Sequence, residues 1–451
     1  MAKKTNTPDT AAEELLPISE TQLPVGPTGR FLVTMAPGSQ RNLIKTLKNA
    51  AGITAASTAD SKESGVDITS LSGADALLLE HLSIAVVNGE DAEKIQSLEV
   101  AEADDTNPIV KVEPEEYVQA INDEGFLTSS GQDYLRGYRD GVAATAGRLL
   151  GIVPEESIDE IPIAAALADT PQFTWGLQAT RVHVSAATGV GLRVAVLDTG
   201  FAVGHPDFVG RQVIAATFVG QPVQDGHGHG THCIGTALGD RMRAGGVRRY
   251  GCARQGVILV GKVLSNAGSG ADGGILAGIN WAIQNGARVI SMSLGAPVTV
   301  GTPPSVAYEN AGRAALNAGS LIIAAAGNSG NHPTLFPVAR PANSPSIMAV
   351  AAVDQNQQRA SFSCRGVNPN GGEVNIAGPG VGVFSSTRMP ARYAILNGTS
   401  MATPHVAGIA ALWSQRTGAR GTALWQRLIS TARNIGQPLQ HVGRGLVQSP
   451  P

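Results

Sequence analysis

The chain has 451 residues, 43% of them hydrophobic, with 55 glycines and a formal net charge of −3, which is ample material for one large core plus a smaller domain. No block of lysine and arginine occurs, so nucleic acid finds no electrostatic footprint, and no run of about 18 apolar residues is present to cross a bilayer. The basic residues near the amino terminus have no apolar stretch behind them and do not form a Sec-type signal peptide, which leaves a cytoplasmic location or a non-classical export route.

In chain order, residues 1–25 are polar and contain proline, the composition of a disordered tail. Residues 26–121 read as a small α+β domain. A strand is predicted at 31–35, a helix over 41–51 with Leu43, Ile44 and Leu47 on one face, and one or more strands within 76–87. A second helix over 91–98 turns Ile95 and Leu98 inward, and a strand at 109–118 closes the unit. This βαββαβ order is ferredoxin-like. Residues 122–172 form a linker, helix-compatible at 133–150, then acidic and alanine-rich over 152–170.

From 173 to 451, apolar strand-like runs at 192–197, 257–264, 289–294, 321–326 and 346–353 alternate with helix-like stretches such as 273–286 and 305–318. Alternation of this kind predicts an α/β domain with a doubly wound parallel sheet and ligands at the carboxyl ends of the strands. Three motifs lie at those ends or at a helix start: Val196-Leu197-Asp198-Thr199-Gly200, His229-Gly230-Thr231-His232 and Gly398-Thr399-Ser400-Met401-Ala402-Thr403-Pro404-His405. Ala325-Ala326-Gly327-Asn328-Ser329-Gly330 stands between the last two.

Together these motifs supply what acyl transfer to a serine requires. A serine hydroxyl is a poor nucleophile until an imidazole removes its proton, and that imidazole needs a carboxylate to fix its tautomer. Ser400, His229 and Asp198 are the candidates. The oxyanion that develops needs fixed donors, for which the Asn328 side chain and the Ser400 backbone N–H are available. A helix over 401–414 would place Ser400 at a positive helix end, with Pro404 in the first turn where its missing N–H has no partner to lose.

The motifs resemble those of the subtilisin family of serine peptidases, the subtilases, and are similar to its proteinase K branch, over roughly residues 173–447. The resemblance implies a serine endopeptidase with Asp198, His229 and Ser400 as triad and Asn328 as oxyanion residue. It also implies that Gly268-Ser269-Gly270 and Ser293-Leu294-Gly295 flank an extended substrate backbone, and that Ala339 floors the first specificity pocket with Arg340 beside it. By the same resemblance, residues 26–121 are a propeptide domain that acts as an intramolecular inhibitor. Its tail would be cut in cis near residues 120–124, with 164–170 as the second-choice site.

The partners implied are polypeptide substrates and the chain's own propeptide, for a monomer with no nucleic acid and no membrane. No cofactor or catalytic metal is expected. Asp207 matches a family calcium ligand, but its usual loop partners are missing, and residues 239–251 carry arginines instead. His227, His232 and His405 read as structural histidines, since no carboxylate or cysteine cluster is spaced to complete a metal site. Three cysteines cannot all pair: Cys233 resembles a buried free thiol beside the histidine motif, and a bond from Cys233 to Cys252 stays open. The other functional classes are a catalytically inactive peptide-binding homologue, which would lack a triad member, and a sedolisin-type serine-carboxyl peptidase, which would lack Asn328 and His229.

Overall fold

Leu77, Leu78 and Leu79 follow one another and are all buried, because each face of their strand has a cover of its own. The computed structural model describes residues 23–36, 42–58, 74–121, 166–240, 247–330 and 336–451. The first unit runs β1 (Pro27–Met35), α1 (Leu43–Ala51), β2 (Ala55–Ser57), β3 (Ala76–Leu79), one 3₁₀ turn (Glu80–Leu82), β4 (Ile84–Asn88), α2 (Ala92–Glu102) and β5 (Ile109–Ala120). Its sheet has the order β5-β1-β4-β3-β2. The first four strands pair antiparallel, and β2 is added parallel to β3. The core strands and two helices are the ferredoxin-like arrangement expected; β2 is an extra edge strand too short to leave a periodic signal.

Successive side chains on a strand point to opposite faces. Val33, Met35, Leu78, Ala85 and Val87 therefore pack on Leu43, Leu47, Ile95 and Leu98 of the two helices. Leu32, Leu77, Leu79, Ile84 and Val86 belong instead to the core of the second unit. Ile44, expected on the inner face of α1, is 50% exposed: one residue from Leu43, it lies about 100° further around the helix, too far to share the narrow buried stripe.

The second unit contains α3 (Trp175–Ala179), β6 (Arg193–Asp198), β7 (Val213–Thr217), α4 (His229–Leu238), β8 (Val257–Lys262), β9 (Ser269–Ala271), α5 (Asp272–Gln284), β10 (Val289–Met292) and β11 (Leu294–Gly295). After these come α6 (Val306–Asn317), β12 (Leu321–Ala325), β13 (Met348–Val353), β14 (Ile376–Pro379), β15 (Val383–Ser386), β16 (Tyr393–Leu396), α7 (Thr399–Thr417), α8 (Gly421–Thr431) and α9 (Leu439–Val442). Seven strands form one parallel sheet in the order β7-β8-β6-β10-β12-β13-β14. Helices α5 and α6 contribute to the core on one face and α4 and α7 to the core on the other.

The chain starts this sheet at β6, goes to the edge strand β7, returns to β8 between the two, and resumes at β10 on the other side of β6. The reversal leaves a crevice at the carboxyl ends of β6 and β10, the place where doubly wound sheets hold ligands. The predicted linker helix at 133–150 and nearly all of the 1–25 tail lie outside the described residues. The stretch before α3 is tied down, with the Asp169 carboxylate accepting from Trp175 N at 2.7 Å and Leu167 N donating to Gln355 O at 3.1 Å. The second-choice processing stretch is therefore, in its described part, hydrogen-bonded to the second unit while Ala166 and Ala168 remain exposed. No helix among the described residues is long and apolar enough to cross a membrane.

Candidate active site

Asp198 is the last residue of β6, with β8 and β10 on either side, and is 1% exposed. His229 is the first residue of α4, and its Nδ1 donates to Asp198 Oδ1 at 2.8 Å. The same oxygen accepts from Thr199 N at 2.7 Å. Sequence reasoning passed over Asp225, which fixes this helix start. Its carboxylate accepts from Gly228 N (2.8 Å), Thr231 N (2.9 Å), Thr231 Oγ1 (2.7 Å) and Thr199 Oγ1 (3.0 Å). It thereby satisfies helix-terminal donors that would otherwise be orphaned and ties α4 to the end of β6. An acidic residue four positions before the helix that opens at His229 is the signal that could have found it.

Ser400 is the second residue of α7, which begins at Thr399, so Pro404 lies inside the helix rather than in its first turn. A proline there cannot donate to the carbonyl four residues back, which frees Ser400 O. Ser293 Oγ donates to that oxygen at 2.8 Å, and Cys233 Sγ approaches it at 3.6 Å. Pro404 thus lets two neighbouring segments bond to the turn that carries Ser400. Asn328 follows β12 and the Gly327 turn. Its Oδ1 accepts from Thr399 N and Thr399 Oγ1, each at 2.9 Å. That leaves Nδ2 buried without a hydrogen-bond partner, the disposition of a donor held ready for an oxyanion.

The cleft between these groups is filled by the chain itself. Strand β5 lies antiparallel between β9 and β11, with Gln119 opposite both Ser269 and Gly295, Val118 opposite Gly270 and Ala120 opposite Leu294. Ala120 N donates to Gly268 O at 2.8 Å and Ile121 N to Ser293 O at 3.3 Å. The Ser400 hydroxyl donates to the Ile121 carbonyl oxygen. A Cβ on Gly398, whose φ is +145°, would sit 3.0 Å from Asn328 Nδ2 and 3.3 Å from Ile121 O. Only glycine lets that carbonyl and that amide lie against the same turn. A Cβ on Gly295 would strike Ile121 Cδ1 at 2.8 Å and would lie 3.6 Å from Ala339 Cβ, so the Ile121 side chain rests on Gly295 beside Ala339.

All the residues expected at the site converge here. The Ser400–His229 hydrogen bond does not form in this state: Ser400 Oγ donates to backbone oxygens, and His229 Nε2 has no partner. Burial alone would depress the His229 pKa, but the Asp198 carboxylate outweighs it and holds the imidazole well above its usual value. His232 and His405 go the other way. Burial lowers them to about 3 and about 4, and each donates to a backbone carbonyl, Val383 O and Met401 O. They are neutral packing groups, as their sequence context suggested.

All three cysteines are buried and free, so the Cys233–Cys252 pairing is not made. Cys233 Sγ is 3.9 Å from His229 Nδ1. With Asp198 and His229 it forms a cluster of possible metal donors, but the carboxylate and the imidazole are already bonded to each other. Asp207 accepts from the hydroxyls of Tyr250 and Tyr393. These are hydroxyl donors rather than a cage of acceptor oxygens, which does not suit a calcium ion at that position.

A family model described as the subtilase family matches residues 189–445. Subtilisin Savinase of Lederbergia lenta is 43% identical over 283 residues, 61% of this chain and 96% of that one. Subtilisin DY of Bacillus licheniformis is 40% identical over 274 residues, covering 60% and 94%. A thermostable alkaline protease of Halalkalibacterium halodurans is 39% identical over 313 residues, covering 68% and 80%. These relatives bear out the family, and the narrower likeness to its proteinase K branch gains no support from them.

Proposed function

We propose that this chain, which belongs to the subtilase family and is a serine endopeptidase, is made as a precursor whose residues 26–121 block its own cleft until Ser400 cuts the Ile121–Asn122 bond. The observation that carries the reading is the Ile121 carbonyl resting on the Ser400 hydroxyl, at the end of a strand clamped between β9 and β11.

In the proposed reaction Ser400 Oγ attacks the Ile121 carbonyl carbon while His229 Nε2 takes the hydroxyl proton, and Asp198 stabilises the imidazolium that forms. The carbonyl oxygen, now an anion, meets Asn328 Nδ2 and the Ser400 N–H at the helix start. Collapse breaks the bond to Asn122 N, which takes the proton from His229. Water then attacks the acyl-enzyme by the same route and regenerates Ser400. Other polypeptides enter as extended strands by the same backbone pairing once β5 has left. The enzyme acts as a monomer, with no catalytic metal, nucleic acid or membrane.

Inhibition follows from tethering, which keeps the β5 peptide at high effective concentration beside the cleft. The apolar face Leu32, Leu77, Leu79, Ile84 and Val86 strengthens it, since it packs into the core of the second unit. Each of those side chains contributes roughly 1.5–3 kcal/mol when fully buried. The test is the amino terminus of the processed protein and the fate of Ser400→Ala: wild type should first yield a chain starting at Asn122, and the variant should accumulate uncut. Active protein with residues 26–121 still covalently attached would overturn the proposal.

A further inference from the structure

Two charged side chains sit where the cleft meets the far end of β5. Asp272, the first residue of α5, is 1% exposed. Its Oδ1 accepts from Tyr308 Oη at 2.9 Å, and both carboxylate oxygens accept from Arg340 Nη2, at 3.2 and 3.1 Å. Asp272 Oδ2 also accepts from Glu116 N at 3.0 Å, so the pair lies directly against the strand in the cleft. Arg340 directly follows Ala339, its side chain 12% exposed, and its Nη1 reaches Glu116 Oε2 at 3.2 Å. Glu116 is the fifth residue before Ile121.

Within the catalytic unit the arginine is held by Asp272, which Tyr308 fixes in turn; towards the strand in the cleft Nη2 also reaches Tyr117 O at 3.5 Å, and Nη1 is presented to the Glu116 side chain. A guanidinium held in this way needs no reorganisation to make a charge-assisted bond. Strand geometry fixes which substrate residue it meets, because backbone pairing with β9 and β11 sets the register from the scissile carbonyl.

We propose that Arg340 is a specificity-determining residue that selects an acidic side chain at the sixth substrate position before the cut, counting the residue at the scissile carbonyl as the first. This rests on the reading that β5 lies in the substrate cleft in productive register. Arg340 contributes to recognition along the extended strand and touches none of the reacting atoms.

The test uses mature enzyme prepared from the full chain, and fluorogenic peptides carrying Glu-Tyr-Val-Gln-Ala-Ile before the cleaved bond. In parallel peptides Gln or Lys replaces the Glu. Wild type should show kcat/KM about fivefold lower for the Gln peptide and lower again for the Lys peptide, with the gap narrowing at high salt. Arg340→Gln alone leaves the Asp272 charge uncompensated and can compromise folding, so the double variant Arg340→Gln/Asp272→Asn is measured beside it. It should cleave all three peptides alike, whereas a merely structural arginine would lower all three equally and keep their ratios. Equal kcat/KM for the three peptides in wild type would overturn the proposal. A first processing cut away from Ile121–Asn122 would instead overturn the register on which it stands.

Discussion

The Ser400 hydroxyl donates to the carbonyl oxygen of Ile121, 279 residues earlier in the chain, and not to His229. The Ser400 hydroxyl therefore faces a carbonyl of the strand that fills the cleft, and it also reaches Ser293 O at 3.1 Å. His229, already bonded to Asp198, waits with Nε2 unpartnered. Catalytic hydrogen bonds of this kind are often loose before the reacting state forms.

Replacing that hydroxyl should have the largest effect. In subtilisin, where the loss has been measured, removing the serine costs about a million-fold in turnover, and Ser400→Ala is expected to approach that figure while folding normally. Loss of labelling by a fluorophosphonate together with accumulation of uncut precursor is the expected result. Full peptidase activity in the purified variant would end the assignment.

The oxyanion donor should matter less. Asn328→Ala removes Nδ2 but no acid–base group, so kcat should fall about a hundred- to a thousand-fold with KM nearly unchanged, the range measured for the equivalent change in subtilisin. Thr399→Val, which deletes the hydroxyl bonded to Asn328 Oδ1, should lower kcat in the same direction by less. A fall confined to substrate affinity would count against the role.

The pH profile follows from His229. It works as a base only when neutral, and its pKa is raised well above 6.5 because Asp198 outweighs the opposing effect of burial. The kcat/KM should therefore rise with a midpoint above 6.5, and Asp198→Asn should shift that midpoint down while lowering the plateau. The linked stability has the opposite trend. A raised folded-state pKa adds stability that is complete below 6.5 and is lost as pH rises through the folded value. An optimum near pH 4 would contradict the assignment.

Cys233 gives a chemical handle on the same histidine. Its sulfur lies 3.9 Å from His229 Nδ1, and burial pushes the thiol pKa up, so reagents that need an exposed thiolate should react slowly. Mercuric ion, small and thiophilic, should inactivate the wild type, and Cys233→Ala should stay active and resistant. Unchanged activity after quantitative mercuration of Cys233 would refute the prediction.

Local chemistry made much of this legible from residues alone. The apolar run ending in Asp198, the histidine opening a helix and the Gly-Thr-Ser turn each mark an element boundary, and a parallel sheet buried on both faces leaves near-continuous apolar strands. The ferredoxin-like order of the first unit was readable for the same reason. Features that depend on partners distant in sequence were not. Nothing in 76–87 says that its second apolar face is covered by the other unit, since a buried strand reads the same whatever buries it. Pro404 looked like a first-turn residue because the helix start depends on Thr399 bonding to Asn328, 71 positions away. Nothing in the residues around Asp207 says that the Tyr250 and Tyr393 hydroxyls donate to its carboxylate. Arg340 showed its charge in the sequence, but the role proposed for it depends on Asp272 holding it and on β5 entering the cleft in one register. Residue types and their spacing determined which chemistry the chain carries, because those preferences are local. The register in which β5 fills the cleft, and which carbonyl meets Ser400, was decided only by the packing of two units whose contacting residues are far apart in sequence.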